Sequence, residues 1–285
     1  MGTRKAAFAG SWYPSDPRQC RAQIESFFSQ APAPPPDAVE GLGGIVPHAG
    51  WVYSGRIAGS VVALLKSTAK PDVVVLFGGH LGPSSSHRVM VEGSWETPLG
   101  DVEVASDLAR ALLREFPARE ESGRSAQPDN TLELQLPFVR HAFPGAKVLP
   151  LAVAPTQQGI AMGRRLGELV REKGIAAVVM GSTDLTHYGP GYGFTPMGPA
   201  PKAESWVRES LDRSVIQRML EMDPWGIIQE ALDRGNACCP GAAAAAVECL
   251  KQLGAKKAQL VCYATSREVA PFEDFVGYAG IVYWG

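Results

Sequence analysis

Val73-Val74-Val75-Leu76-Phe77-Gly78-Gly79-His80 decides the fold class. Residues 73 to 77 are all apolar, so both alternating faces of this strand need cover, as in a parallel sheet with helices on either side. The glycine pair lets the backbone turn sharply and leaves His80 just past the strand end. Two further stretches repeat the pattern. Ile45-Val46-Pro47-His48 ends a strand that starts at Gly43, and Val178-Val179-Met180-Gly181-Ser182 runs into Thr183-Asp184-Leu185-Thr186-His187. In open α/β sheets, side chains beyond the carboxyl ends of the strands converge on one crevice, where ligands bind. Three of the five histidines are therefore expected at one edge of one sheet.

Working outward, strands and helices alternate. Strands are read at 43–47, 72–78, 87–92, 147–152, 176–181, 258–264 and 276–283. Helices are read at 20–29, 55–66, 106–115, 132–141, 157–173, between 203 and 234, and at 241–253. The alternation predicts an α/β fold with a mostly parallel or mixed central sheet flanked by helices on both faces. Ala31-Pro32-Ala33-Pro34-Pro35-Pro36 cannot be helix or central strand and reads as a stiff surface connector. No repeat and no change of composition divides the chain, so residues 1–285 are read as a single domain.

The composition excludes several classes of function. The 285 residues are 45% hydrophobic and 20% charged with a formal net charge of -2, which gives no basic field to recruit nucleic acid or an anionic membrane. No apolar run is long enough to span a bilayer, and the N-terminus has no secretory signal core. With five cysteines, an odd number, and Cys20, Cys249 and Cys262 inside expected helices or strands, a disulfide framework is not expected and a cytoplasmic location is.

The chemistry lies in the crevice. Cys238 and Cys239 precede Pro240, which is favoured at the first turn of a helix, and a helix N-terminus favours the metal-binding thiolate. Two imidazoles and one thiolate would supply three ligands, a facial triad with cysteine in place of the carboxylate, suited to iron, copper or zinc. Asp184 and His187 are spaced for acid/base or ligand-orienting work. Trp12, Tyr13, Trp51 and Tyr53 would wall a substrate pocket or anchor a peptide. Each has a plainer alternative: a strand-end histidine hydrogen-bonded in the fold, a buried pair of small thiols, aromatic core packing. His87 and His141 are read as structural, the latter near a helix C-terminus. No dinucleotide-binding glycine motif, Gly-x-Ser-x-Gly elbow, Cys-x-x-Cys or His-x-x-x-His is present.

Phe8-Ala9-Gly10-Ser11-Trp12-Tyr13-Pro14, Pro47-His48-Ala49-Gly50-Trp51-Val52-Tyr53-Ser54-Gly55, Gly78-Gly79-His80, Leu132-Glu133-Leu134-Gln135-Leu136-Pro137-Phe138 and Ser182-Thr183-Asp184-Leu185-Thr186-His187-Tyr188-Gly189 together resemble the MEMO family. Its microbial members are called AmmeMemoRadiSam system protein B. The resemblance implies the fold of the class III extradiol dioxygenases and an iron(II) or copper site of two histidines and one cysteine. These fall on His48, His80 and, counting back from the alanine-rich helix, Cys238, with Cys239 the fallback. It implies roles near that site for Asp184 and His187, and association with AMMECR-type and radical SAM proteins. Two positions depart from the family pattern. Cys238-Cys239-Pro240-Gly241-Ala242 stands in place of Cys-Gly-x-x-Pro, and Asn130 stands where a histidine is usual.

Two functions follow as expectations. One is a metal-dependent, dioxygenase-type oxidoreductase acting on a small, aromatic substrate, in which the missing histidine at Asn130 leaves His187 to supply proton transfer. The other is a non-catalytic metal-binding or peptide-binding protein using the same crevice, since the fold does not decide between them.

Overall fold

The computed structural model of the protein describes residues 2–35, 40–124 and 127–285. Pro36, the last residue of the proline-rich connector, lies outside them. A nine-stranded mixed sheet organises the molecule. Its centre is four parallel strands in the order Gly41–Val46, Ala177–Ser182, Val73–Gly78, Lys147–Ala152. Phe275–Trp284 joins antiparallel beside Gly41–Val46, carrying Lys257–Thr265 and the short His187–Tyr188 strand along it. At the other edge Arg88–Glu92 pairs antiparallel with Lys147–Ala152 and parallel with Arg119–Ser122.

The two-sided burial of the central strands is what their sequence demands. Val73, Val75 and Phe77 enter one hydrophobic cluster, and Val74 and Leu76 enter the cluster on the opposite face. Helices Ser106–Leu113, Gln157–Glu172, Arg213–Leu220, Pro224–Arg234 and Pro240–Gln252 cover the first face. Helices Pro17–Ser29, Trp51–Thr68 and Leu136–Ala142 cover the second. Side chains in rotamer-defined contact on both faces hold the strand ends in register, which is the property a site at those ends needs.

Three local differences from the sequence reading have physical causes. The second-face helix begins at Trp51, four residues before Gly55, because Gly55 is a contact point and not a helix start: a Cβ there would stand 2.7 Å from the ring of Phe27. The expected helix over 132–141 is two pieces, Asn130–Glu133 and Leu136–Ala142. Between them the Gln135 amide donates to Pro47 O at 2.9 Å, tying that turn to the loop that carries His48. A small second sheet of Thr3–Arg4, Ser94–Trp95 and Val102–Glu103, with strands of two residues each, carries too little pattern to read in advance.

Pro240–Gln252 is the element that completes the site. Ala242 to Ala246 are fully buried, and their small side chains let the helix lie against Gln157–Glu172 at close range. At Gly163 a Cβ would stand 2.2 Å from the Ala245 carbonyl oxygen, so only glycine permits the approach. No helix among the described residues is long and apolar enough to cross a membrane.

Candidate metal centre

Gly41–Val46 and Val73–Gly78 flank Ala177–Ser182 in the sheet. Each of these three neighbouring strands presents a functional side chain two residues past its end: His48, His80 and Asp184. The parallel register aligns Val46 with Ser182 and Phe77 with Gly181, so the three arrive at the same level. The cysteine pair is fastened to the middle strand end. Cys238 N–H donates to Asp184 O at 3.1 Å and Cys239 N–H donates to Thr183 Oγ1 at 3.1 Å.

The donor atoms of His48, His80, Cys238 and Cys239 all lie within 4.8 Å of one another. His48 Nε2 is 3.3 Å from Cys238 Sγ, His80 Nδ1 is 3.4 Å from Cys239 Sγ, and the two sulfurs are 3.7 Å apart. The imidazole rings stand perpendicular with centroids 5.0 Å apart. The sequence paired both histidines with one thiol; in the structure Cys238 faces both His48 and His80, and Cys239 Sγ lies against His80 as well. Cys239 caps the N-terminus of Pro240–Gln252, and both sulfurs lie at the cluster.

Supporting contacts fix the orientation of these groups. His48 Nδ1 is 2.9 Å from Ser182 Oγ, which leaves Nε2 facing the sulfur. His48 N–H donates to Asp184 Oδ1 at 2.7 Å, Asp184 N–H donates to Cys238 Sγ at 3.3 Å, and the Asn130 amide donates to His48 O at 3.3 Å. A donor set of imidazole nitrogen and thiol sulfur with hydrogen-bonded outer partners fits a transition-metal ion.

The electrostatics separate the two thiols. Burial alone would raise Cys238, but hydrogen bonding with Cys239 and the charge of His48 outweigh it and hold this thiol well below its ordinary value. Burial and the hydrogen bond and charge of Cys238 push Cys239 well above it. Burial opposes charge on His48 too, yet Asp184 and Cys238 bring it up to about 9. Asp184 itself is pushed up by burial, against the pull of His48.

His48 and His80 reach a cleft of about 1140 Å³ whose lining includes Trp12, Tyr53, Asn130, Asp184 and His187. His187 Nδ1 donates to Leu185 O at 3.1 Å, and its ring stands edge-on to Tyr192. Of the four aromatics singled out in the sequence, all border the cleft, but Tyr13 and Trp51 give it little surface, being 4% and 3% exposed. Tyr13 OH donates to the buried Glu133 at 3.0 Å, and Trp51 stacks in the core 4.4 Å from the ring of Phe138. His87 and His141 take structural places: His87 Nδ1 accepts from Ala154 N–H at 3.1 Å, and His141 packs edge-on against Phe28.

Sequence reasoning missed Ser182, Thr183 and the cleft walls Tyr192, Phe272 and Tyr278. For Ser182 a signal was available, since it ends the strand that leads to Asp184. Tyr192 gave none: it comes back over the cleft through a short 3-10 turn at Pro190–Tyr192.

The fold and the cluster define an α/β protein that gathers histidine and cysteine donors at the carboxyl edge of a parallel sheet. Residues 4–282 match the model of the Memo-like protein family, and the chain belongs to that family. A MEMO1 family protein of Methanopyrus kandleri is 33% identical, with 98% of each chain covered. Those of Pyrobaculum arsenaticum, 31% identical over 99% of each chain, and Thermococcus kodakarensis, 32% identical over 98% of this chain and 99% of its own, agree end to end. An uncharacterized protein from Escherichia coli K12 overlays at a TM-score of 0.49 with 13% identity, covering 79% of this chain and 91% of its own.

Proposed function

We propose that this protein holds iron or copper at His48, His80 and Cys238 and oxidises a small aromatic molecule bound in the adjoining cleft, in a dioxygenase type of reaction. The observation that supports this reading is the convergence of imidazole and thiol donors within 4.8 Å beside an aromatic-bordered cleft. A bound ion of this kind supplies the electronic coupling between substrate and dioxygen, and both oxygen atoms enter the product, so no separate reductant is consumed.

The chain's own residues do the rest. Ser182 holds the His48 ring so that Nε2 faces the cluster. His187, with Nδ1 tied to Leu185 O, presents Nε2 to take a proton from a substrate hydroxyl. Asp184, whose Oδ1 accepts from His48 N–H at 2.7 Å, lines the cleft and is placed to orient the cluster. Asn130 cannot act as a base; its amide is committed to His48 O. Trp12 and Tyr53, which line the cleft, would supply aromatic contacts to a ring bound there.

The test is dioxygen uptake by anaerobically purified, metal-loaded protein with catechol-like compounds, against His187→Gln. Uptake with a ring-cleaved product, diminished about 100-fold in the variant, supports the reading. Metal without any uptake leaves the second reading, that the protein holds the ion without turnover. One observation favours that alternative: a second sulfur, Cys239 Sγ, lies beside the three donors.

A further inference from the structure

Resting on the reading of this cluster as a metal site, we infer that Cys239 is a second thiolate ligand, making a four-donor set of His48, His80, Cys238 and Cys239 that favours copper(I), of the two metals proposed above, over iron(II) and also accepts zinc(II).

The argument begins with distances. A tetrahedral ion with sulfur at about 2.3 Å and nitrogen at about 2.0–2.1 Å holds two sulfurs about 3.8 Å apart and each sulfur about 3.5 Å from a nitrogen. In this structure the two sulfurs are 3.7 Å apart, and the sulfur-to-nitrogen separations are 3.3 Å for Cys238–His48 and 3.4 Å for Cys239–His80. Three of the six edges of a mixed tetrahedron are therefore set within a few tenths of an ångström. The remaining pairs stay inside 4.8 Å, an opening that small rotations of exposed His80 would close.

Connectivity supports the same assignment. Cys239 Sγ lies 3.4 Å from His80 Nδ1, beside Cys238, which also faces that ring, so a set made of His48, His80 and Cys238 alone would leave a 1% exposed thiol within contact of one of its own ligands. The pair is anchored on both sides by Cys238 N–H to Asp184 O and by Cys239 N–H to Thr183 Oγ1. Both anchors hold the sulfurs forward together. Charge agrees as well: two thiolates neutralise a divalent ion, which matters where Cys239 and His48 are 1% and 2% exposed.

Softness decides the metal. Paired thiolates with imidazole suit copper(I) and zinc, whereas an open set with oxygen ligands suits iron(II). A four-donor sphere is also closed, so substrate enters coordination only if one donor leaves.

X-ray absorption on the zinc-loaded wild-type chain counts sulfur neighbours directly. Two sulfurs at about 2.3 Å are expected; one overturns the inference while leaving the metal site intact. Cobalt(II) substitution gives a second count, because thiolate-to-cobalt absorption in the near ultraviolet scales with the number of Co–S bonds. Wild type should lose half of that absorption in Cys238→Ser and half in Cys239→Ser. Zinc affinity should weaken more than about tenfold in the latter, since even outer-shell partners are worth that much. Full absorption and unchanged affinity in Cys239→Ser would overturn the proposal. Failure of the wild type to take up zinc, copper(I) or cobalt would instead overturn the metal-site reading on which it rests.

Discussion

Ser182 Oγ lies 2.9 Å from Nδ1 of His48, on the side of the ring away from the 3.3 Å contact between Nε2 and Cys238 Sγ. One serine at the end of the middle strand thus fixes which nitrogen of a neighbouring strand's histidine is offered to the cluster. Ser182→Ala should weaken metal binding by about 10- to 100-fold with thermal stability nearly unchanged, since outer partners of this kind tune ligand orientation. Competition titration with a metal-sensitive chelator measures it; an affinity equal to wild type would mean the contact is incidental.

The strand cores were legible because five apolar residues in a row at 73–77 have one physical solution, burial on both faces. The histidines were legible for the same reason: a strand whose end is known delivers whatever follows it to the crevice. That Cys239 would stand beside Cys238 at the cluster was not, because the backbone torsions between two consecutive residues follow no periodicity. Asn130 was read as a lost imidazole, and its amide is found donating to the His48 carbonyl. Tyr13 and Trp51 looked like pocket walls, but their surface is mostly used in packing, the usual fate of aromatics next to a core helix.

Gly163→Ala tests the seat of the thiol-bearing helix. The added methyl would stand 2.2 Å from the Ala245 carbonyl oxygen, on backbone that cannot turn aside. Overpacking of this kind costs about 1–3 kcal/mol, and the loss should appear in denaturant midpoint and in slower metal uptake, as the cysteine pair moves off its strand end.

Glu133 is fully buried and accepts from Ala7 N–H at 3.0 Å, Phe8 N–H at 2.8 Å and Tyr13 OH at 3.0 Å. It clamps the N-terminal segment, including Trp12, against the cleft. Glu133→Ala leaves the buried Tyr13 hydroxyl without its acceptor, at about 1–3 kcal/mol, and releases the less buried Ala7 and Phe8 N–H groups. Limited proteolysis should then cut near residue 10 well before global unfolding; protection equal to wild type would refute the clamp.

Asp212 gives a pH dependence of stability with a definite sign. Burial pushes its carboxyl up to about 6 despite hydrogen bonds from Thr186 N–H and Oγ1 and from Tyr263 OH. The folded pKa lies above the unfolded value of about 3.9, so between these two the native state holds the proton that the unfolded chain has released. Stability contributed by this group therefore falls as pH rises from about 4 to about 6 and is level above that, a change on the order of 3 kcal/mol. Asp212→Asn should flatten that window in urea denaturation series; an unchanged slope would show that another group sets it.

The central claim is that the carboxyl edge of this sheet holds a metal ion. Metal content after purification without air, for wild type beside His48→Ala, His80→Ala and Cys238→Ser, tests it most directly. Near-stoichiometric transition metal in wild type, lost in both histidine variants and much reduced in Cys238→Ser while each remains folded, is the expected result. No metal above background in wild type, even after anaerobic reconstitution with iron, copper or zinc, would contradict the account and leave the crevice as a binding site for an organic ligand alone.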